Sequence, residues 1–359
     1  MKKILFIANT DRHINLCHIP YLKMFKDNGY TIHVATNTNK SIKYCDKKIG
    51  LNLKRSPYYL KNLFATINLR KIVKKEKYDI ISCHTPMGGI LGRVSTIGLK
   101  NKPKVFYTAH GFHFYKGAPI INWLIYYNIE KYLSKYTTCL MVMNEEDYTL
   151  AKNKIKCDVY KINGIGFSKD HLINKDKKTL KEELGIKNEF IVTYVAEVSK
   201  RKNQKEFLKA LKKYDLDKEN IKIYLIGDSS ISNTNKYLKL VPNVEYLGFK
   251  DNVGDYINIS DLVISPSKQE GLPLNILEAM YFNKMIIATN IRGTKDLISD
   301  GVNGYLIPVN KMDLFIQKII SYKNKPNKKI NNNVEKYFVE NVKEDIKNIY
   351  NKYLIGKLK

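Results

Sequence analysis

One tryptophan, ten prolines and five cysteines are scattered over 359 residues. The five cysteines (17, 45, 83, 139 and 157) contain no C-x-x-C pair, so neither a zinc site nor a disulfide framework is expected. Cys83 and Cys139 sit in apolar runs and read as buried thiols of a protein in a reducing cytosol. Proline and glycine are too few and too dispersed for collagen or a low-complexity chain. No apolar run reaches the ~20 residues that cross a bilayer. The most apolar helical stretch, 120–129, is interrupted by Asn122 and Asn128. The opening MKKILFIANT is too short in its apolar part for a signal peptide and reads as a buried first strand.

Acid is also scarce: 34 acidic against 62 basic residues give a net charge of +28. Nucleic acid is the reflexive inference from such a balance. Only six of the basic residues are Arg, however, while Asn occurs 36 times and Tyr 26 times, a bias that an AT-rich genome would also produce. No nucleic-acid-binding motif accompanies the charge, and no nucleic-acid partner is expected. The split along the chain says more. Residues 1–165 hold 28 basic and 10 acidic residues, so the first half is the acid-poor one and suits an anionic surface or acceptor.

What is present is ordinary globular composition, 44% hydrophobic and 27% charged, in a chain long enough for two domains. Short apolar runs alternate with helical patterns. Strands are expected at 3–9, 32–36, 79–84, 105–109 and 139–143, and again at 190–196, 221–226, 244–247, 262–265 and 285–289. Helices are expected near 19–28, 60–75, 119–133 and 205–213. The stretch 58–77 reads as a basic amphipathic helix, with Lys61, Arg70, Lys71, Lys74, Lys75 and Lys77 against the single acid Glu76, and an apolar side of Tyr59, Leu60, Leu63, Phe64, Ile67, Ile72 and Val73 that would lie at an anionic bilayer surface. This alternation predicts an α/β fold of two similar parallel-sheet halves. The seam falls near 162–187, where Gly164, Gly166 and a charged run mark a linker. The expected domains are 1–165 and 166–333, with a helix over 334–359 packing back onto the first.

Three segments carry chemistry. In SPSKQEGLPLNILEAM (265–280), a strand ends and a loop brings Glu270 and Gly271. Pro273 stands at the expected first helical position, and Glu278 follows on the helix. Both carboxylates then sit at the carboxyl end of the strands, where open α/β sheets bind ligands. Free N–H groups around Leu274 and Asn275 suit a diphosphate. The second segment, VAEVSKRKNQ (195–204), places Arg201 and Lys202 where they would neutralise a diphosphate leaving group. The third, YTAHGFHFY (107–115), sets His110 and Gly111 just past a strand. There His110 would bond a substrate hydroxyl, and Gly111 would let backbone approach a ligand. Asp215-Leu-Asp217 has the form of a metal-binding Asp-x-Asp but precedes a strand rather than following one, and is not expected to hold metal.

On EGLPLNILEAM (270–280), RGTKDLISDGVNGYLIPV (292–309) and TAHGFHFYKGAP (108–119), the chain resembles family-4 glycosyltransferases of the GT-B fold, in the branch that makes capsular and exopolysaccharide. That fold is two Rossmann-like parallel-sheet domains facing across a cleft. The resemblance implies a retaining, metal-independent hexosyltransferase with no cofactor. It would move sugar from a UDP-sugar to a lipid-diphosphate-linked saccharide, at an anionic membrane surface on the cytoplasmic inner face. It implies His110 beside the transferred sugar and Glu270 on the donor hydroxyls. It implies a donor-binding set of Arg201, Lys202, Phe249, Lys250, Gly271, Leu272, Leu274, Asn275 and Glu278, with Glu278 on the ribose and Phe249 and Lys250 near the base. His18 and Gly111 would shape the acceptor side. Two departures stand out. Ala196-Glu197 replaces the usual Gly-Arg, leaving Arg201 as the substitute cation, and Asn9–Asn15 replaces a glycine-rich loop. The rival readings are a sugar-nucleotide epimerase of the same fold and a basic nucleic-acid-binding protein.

Overall fold

The computed structural model describes residues 2–38, 40–54, 59–170, 172, 175–229, 241–326 and 330–358. The chain forms two compact units, Met1–Gly166 with Val339–Lys359, and Phe167–Phe338. The last helix begins at Val339 rather than 334. Val334 and Tyr337 are buried in the core of the second unit, so the five residues 334–338 belong there.

The first unit is built on a seven-stranded parallel sheet. Its strands are β1 (Lys3–Ile7), β2 (Thr31–Thr36), β3 (Lys47–Gly50), β4 (Ile80–His84), β5 (Lys104–Ala109), β6 (Cys139–Val142) and β7 (Asp158–Lys161), in the order β3-β2-β1-β4-β5-β6-β7. β1 from Ile4 onward, β4 and β6 are buried on both faces, as a sheet covered by helices on both sides requires. The closing helix Val339–Asn351 completes one face. It buries Val342, Ile346, Ile349 and Tyr350. The Tyr350 ring stacks on Phe106 at 3.9 Å, and its hydroxyl meets Ser82 Oγ at 2.8 Å.

The second unit repeats the plan with six parallel strands: β8 (Phe190–Val195), β9 (Ile221–Ile226), β10 (Val244–Gly248), β11 (Leu262–Ser265), β12 (Met285–Thr289) and β13 (Gly304–Ile307). Their order is β10-β9-β8-β11-β12-β13. The helix Gln204–Leu211 shows how sequence becomes packing here. Its Phe207, Leu208 and Leu211 share one face and are buried, each contributing roughly 1.5–3 kcal/mol.

Both sheets reverse their strand order beside the first strand, between β1 and β4 and between β8 and β11. Loops leave a doubly wound sheet in opposite directions at such a point and open a crevice beyond the carboxyl ends.

Three helices differ from expectation. The segment after β1 is a short helix, Asp11–Cys17, rather than a loop, because Thr10 caps it by accepting the His13 N–H. The expected helix over 119–133 is one α turn, a π segment Trp123–Tyr127, and a second α stretch Asn128–Leu133. The helix Lys61–Glu76 exists, but Val73, expected on an exposed apolar side, is core, and Ile72 packs partly against that core.

Candidate active site

The second unit brings charged residues from two loops together at its crevice. The loop after β8 carries Glu197, Arg201 and Lys202, and the loop after β11 carries Glu270. Lys202 Nζ donates to Glu270 Oε1 at 2.6 Å, and Arg201 donates to Glu270 Oε2 at 3.1 Å. Arg201 also pairs with Glu197 at 3.1 Å and bonds the Gln269 carbonyl at 3.2 Å. Glu270 is buried. Burial alone would raise its pKa, but the Lys202 and Arg201 charges hold it below the ordinary carboxylate value.

Backbone bonds fix this geometry. Lys268 N–H donates to the Arg201 carbonyl at 2.8 Å, the Tyr194 hydroxyl to the Lys202 carbonyl at 2.5 Å, and Asn203 Nδ2 to the Pro266 carbonyl at 3.1 Å. The two crevice loops are therefore laced together before any ligand arrives. Gly293, in the loop after β12, sits at φ +80°, and a Cβ there would stand 2.5 Å from the Gly271 oxygen. Only glycine permits that approach.

Pro273 is the N-cap, not the first helical residue, because its ψ of 112° is extended. The helix runs Leu274–Tyr281, so Leu274 and Asn275 supply first-turn N–H groups without an intrahelical acceptor. Asn275 Nδ2 is buried and finds no hydrogen-bond partner among the described residues. Glu278 is 4% exposed and has no ion-pair partner among them. Burial pushes its pKa up to about 8. Phe249 and Lys250 follow β10 at the same carboxyl edge, with Phe249 58% exposed. Asp215 and Asp217 precede β9, at the opposite edge from the crevice.

The first unit gathers imidazoles instead. His13 and His18 follow β1, His84 ends β4, and His110 follows β5. The His18 ring lies 3.8 Å from His84, and the His13 ring 4.6 Å from His110. His13 Nε2 and His18 Nε2 are 3.2 Å apart. His84 Nε2 meets Ser82 Oγ at 2.9 Å. Burial, then the charge that neighbouring imidazoles would carry, holds His18, His84 and His110 well below the usual histidine pKa, so these three are neutral. Gly111, at φ +124°, makes the turn that follows His110. Thr85, between β4 and its helix, adopts φ +66° and ψ 154°, a region costly for a residue with a side chain. Its hydroxyl donates to Asn9 Oδ1 at 2.9 Å, tying the β4 loop to the β1 loop.

Sequence reasoning singled out His18 and His110 but not His13 or His84. Their signal was the spacing His13-x4-His18 and a histidine at each of two strand ends. Asp11 was missed as well. It is buried and accepts bonds from Thr36, Thr38 (2.5 Å), the Lys40 N–H (2.7 Å) and Lys48. Burial works against its charge, and those donors win, lowering its pKa.

Residues 176–345 match the family described as glycosyl transferases group 1, and residues 3–144 match glycosyl transferase 4-like. A putative glycosyltransferase, EpsD of Bacillus subtilis, is 38% identical over 90% of this chain and 88% of its own length. The chain belongs to the group 1 glycosyltransferases. It is a transferase of hexosyl type with the GT-B fold of two parallel-sheet domains. A UDP-Gal:α-D-GlcNAc-diphosphoundecaprenol α-1,3-galactosyltransferase of Escherichia coli is 33% identical over 73% of the chain and 70% of its own length. Among solved structures, Anabaena HepE in complex with UDP and glucose superposes with a TM-score of 0.78, covering 98% of this chain and 100% of that one at 19% identity, which is a likeness of fold.

Proposed function

We propose that the enzyme is a retaining transferase acting without metal at the leaving group. It moves a sugar from a UDP-sugar to a saccharide on a lipid diphosphate in capsule or exopolysaccharide synthesis. The observation that carries this reading is the Arg201–Glu270–Lys202 cluster at the crevice of the second sheet. Two cations on one buried carboxylate are positioned to meet a diphosphate and to hold Glu270 ionised for sugar hydroxyls. The helix start at Leu274 and Asn275 adds N–H donors for phosphate oxygens. Glu278 takes the ribose diol, with Gly271 and Leu272 forming the loop around the sugar and Phe249 and Lys250 beside the base. HepE, which binds UDP and glucose, and the galactosyltransferase relative with its diphosphoundecaprenol acceptor support the choice of donor and acceptor.

In the reaction, an acceptor hydroxyl attacks the sugar's anomeric carbon from the face that the nucleoside diphosphate leaves. The C–O bond to phosphate breaks, the new glycosidic bond forms, and the departing phosphate oxygen takes the hydroxyl proton. Lys202 and Arg201 stabilise the charge developing on that phosphate. His110 bonds a hydroxyl of the transferred sugar, and His18 and Gly111 belong to the acceptor side.

The first test is a thermal-shift screen of UDP-, GDP- and ADP-sugars, because a ligand stabilises the state it binds. Stabilisation by UDP-sugars, then transfer to a lipid-diphosphate saccharide, is expected. Epimerised sugar formed without acceptor would instead identify an epimerase.

Glu278 makes this reading pH-dependent. Its raised pKa keeps the carboxyl protonated at neutral pH in the free enzyme. Two ribose hydroxyls donate best to the carboxylate, so binding releases a proton. UDP-sugar affinity should therefore rise with pH, approaching about tenfold per unit below the pKa of about 8. Calorimetry in buffers of different ionisation enthalpy reads the released proton. Glu278→Gln should weaken binding and abolish the slope; affinity of the wild type that is flat from pH 6 to 8 sinks the ribose assignment.

The enzyme works, on this reading, at the cytoplasmic membrane surface. The helix Lys61–Glu76 presents a single outward stripe. Leu60, Leu63, Phe64 and Ile67 are exposed at its start, and Lys71, Lys74 and Lys75 at its end. Tyr58, where the expected amphipathic stretch begins, lies outside the described residues. The apolar start enters the interface and the lysines meet anionic headgroups. Vesicles containing anionic lipid should carry the protein in flotation at low salt. Each lysine contributes about 1 kcal/mol, so changing all three to Glu should cut partitioning at least about 10²-fold. Equal flotation of that triple variant would rule out this helix as the contact.

A further inference from the structure

Four of the seven histidines converge at the crevice of the first sheet, although they come from three different connections. One ring nitrogen from each of His13, His18 and His110 lies within 4.8 Å of the others. The His13 and His18 Nε2 atoms are 3.2 Å apart, with both ring nitrogens turned toward one point. A tetrahedral zinc ion with Zn–N bonds of ~2.0–2.1 Å separates its nitrogens by about 3.3 Å, which is the spacing this pair already has. His110 Nε2 is buried and finds no hydrogen-bond partner among the described residues, a costly state for a polar nitrogen. His18 is held between its neighbours by the His84 ring at 3.8 Å, and His84 is anchored through Ser82 to Tyr350 of the closing helix. The cluster is thus supported from behind and converges at its front.

The geometry points to a binding site for a divalent transition-metal ion of the zinc type, ligated by His13, His18 and His110. Three imidazoles are a ligand set suited to zinc, and they leave a fourth position for water or a substrate oxygen. Nothing in the leaving-group step needs this ion, since the cations that meet the diphosphate belong to the second unit. Its consequence for catalysis rests on the assignment of His110 to the sugar. The ion and the sugar hydroxyl then compete for one imidazole, and zinc inhibits transfer competitively with the UDP-sugar.

The test uses the full chain, stripped with a chelator and titrated calorimetrically with zinc chloride, with cobalt(II) as a spectroscopic probe. One ion per chain and the visible spectrum of four-coordinate cobalt are expected. His13→Ala removes a partly exposed ligand, and His110→Asn removes the second without touching the buried His18. Each should lower affinity by more than the roughly 10–100-fold typical of losing a group behind the ligands. A thermal melt confirms that each variant is folded, and if one is not, the other decides. No binding by the wild type, or binding that both folded variants retain, overturns the site. Tight zinc binding without competitive inhibition would uphold the site and overturn only the role of His110 at the sugar.

Discussion

Lys202→Ala should reduce turnover by about 10²–10³, the usual cost of removing one preorganised donor from a developing oxyanion. The side chain does two jobs at once. Its ammonium is 2.6 Å from Glu270, and its backbone is held by the Tyr194 hydroxyl donating to the Lys202 carbonyl. It therefore need not reorganise when charge appears on the leaving phosphate. Its loss also leaves buried Glu270 with Arg201 as the cation still paired with it among the described residues, which raises the carboxyl's pKa and weakens the grip on sugar hydroxyls proposed for it. Rate and affinity should both fall, with the larger part in kcat because charge on the phosphate grows only in the transition state. Lys202→Arg should rescue little, since a planar fork does not replace a point charge in a fixed socket. Arg201→Ala is also expected to slow turnover, but less, because Glu197 and the Gln269 carbonyl share its guanidinium. Single-turnover kinetics of the three variants decides the ranking. A Lys202→Ala enzyme with undiminished kcat would show that the diphosphate departs elsewhere.

Glu130→Ala should cost the first unit roughly 3–5 kcal/mol, which is the penalty for leaving a buried charge without its partner. Arg93 is 1% exposed. Its guanidinium makes two parallel bonds to Glu130, at 2.6 and 3.0 Å, and its Nε donates to the Gly89 carbonyl at 2.8 Å. The same group lies 4.1 Å from the centre of the Tyr107 ring. Alanine at position 130 removes the carboxylate that pairs with Arg93 and leaves an arginine that cannot shed its proton. At roughly 2–4 °C per kcal/mol for a unit of this size, its melting point should fall by about 6–20 °C. Replacing both partners with apolar residues, Arg93→Met with Glu130→Leu, should recover most of the loss, because no charge then remains to be solvated. A double variant as unstable as Glu130→Ala would mean that the pair contributes packing rather than charge.

Neither partner of that pair stands out in the sequence. Arg93 is one cation among 62, and Glu130 sits 37 residues away in an apolar helix. Burial is what distinguishes them, and burial is a tertiary property. The strands divide along the same line. Every strand read from the sequence is present, and the three that escaped, Lys47–Gly50, Asp158–Lys161 and Gly304–Ile307, all lie at sheet edges. An edge strand has a neighbour on one side only and keeps polar residues such as Lys47, Lys48 and Asp158. It therefore lacks the continuous apolar run that identifies a central parallel strand.

The sequence by itself determined the architecture and the residues of the proposed donor site. The alternation of apolar runs and helices dictates two parallel sheets. Glu270, Arg201 and Lys202 are legible because each lies at a strand-to-helix connection, and Glu278 because it lies on the helix that follows one, where register follows from local pattern. Only the tertiary structure decided which of these meet. It placed Arg201 and Lys202 on Glu270, buried Glu278 with no ion-pair partner among the described residues and a pKa pushed up to about 8, and gave residues 334–338 to the second unit. It also brought His13, His18, His84 and His110 together from positions up to 97 residues apart. The physical reason is the reversal of strand order beside β1 and β8, which makes neighbours of loops that are distant in the chain. Pairing across that point depends on which strands adjoin, and no periodicity within a single segment encodes it.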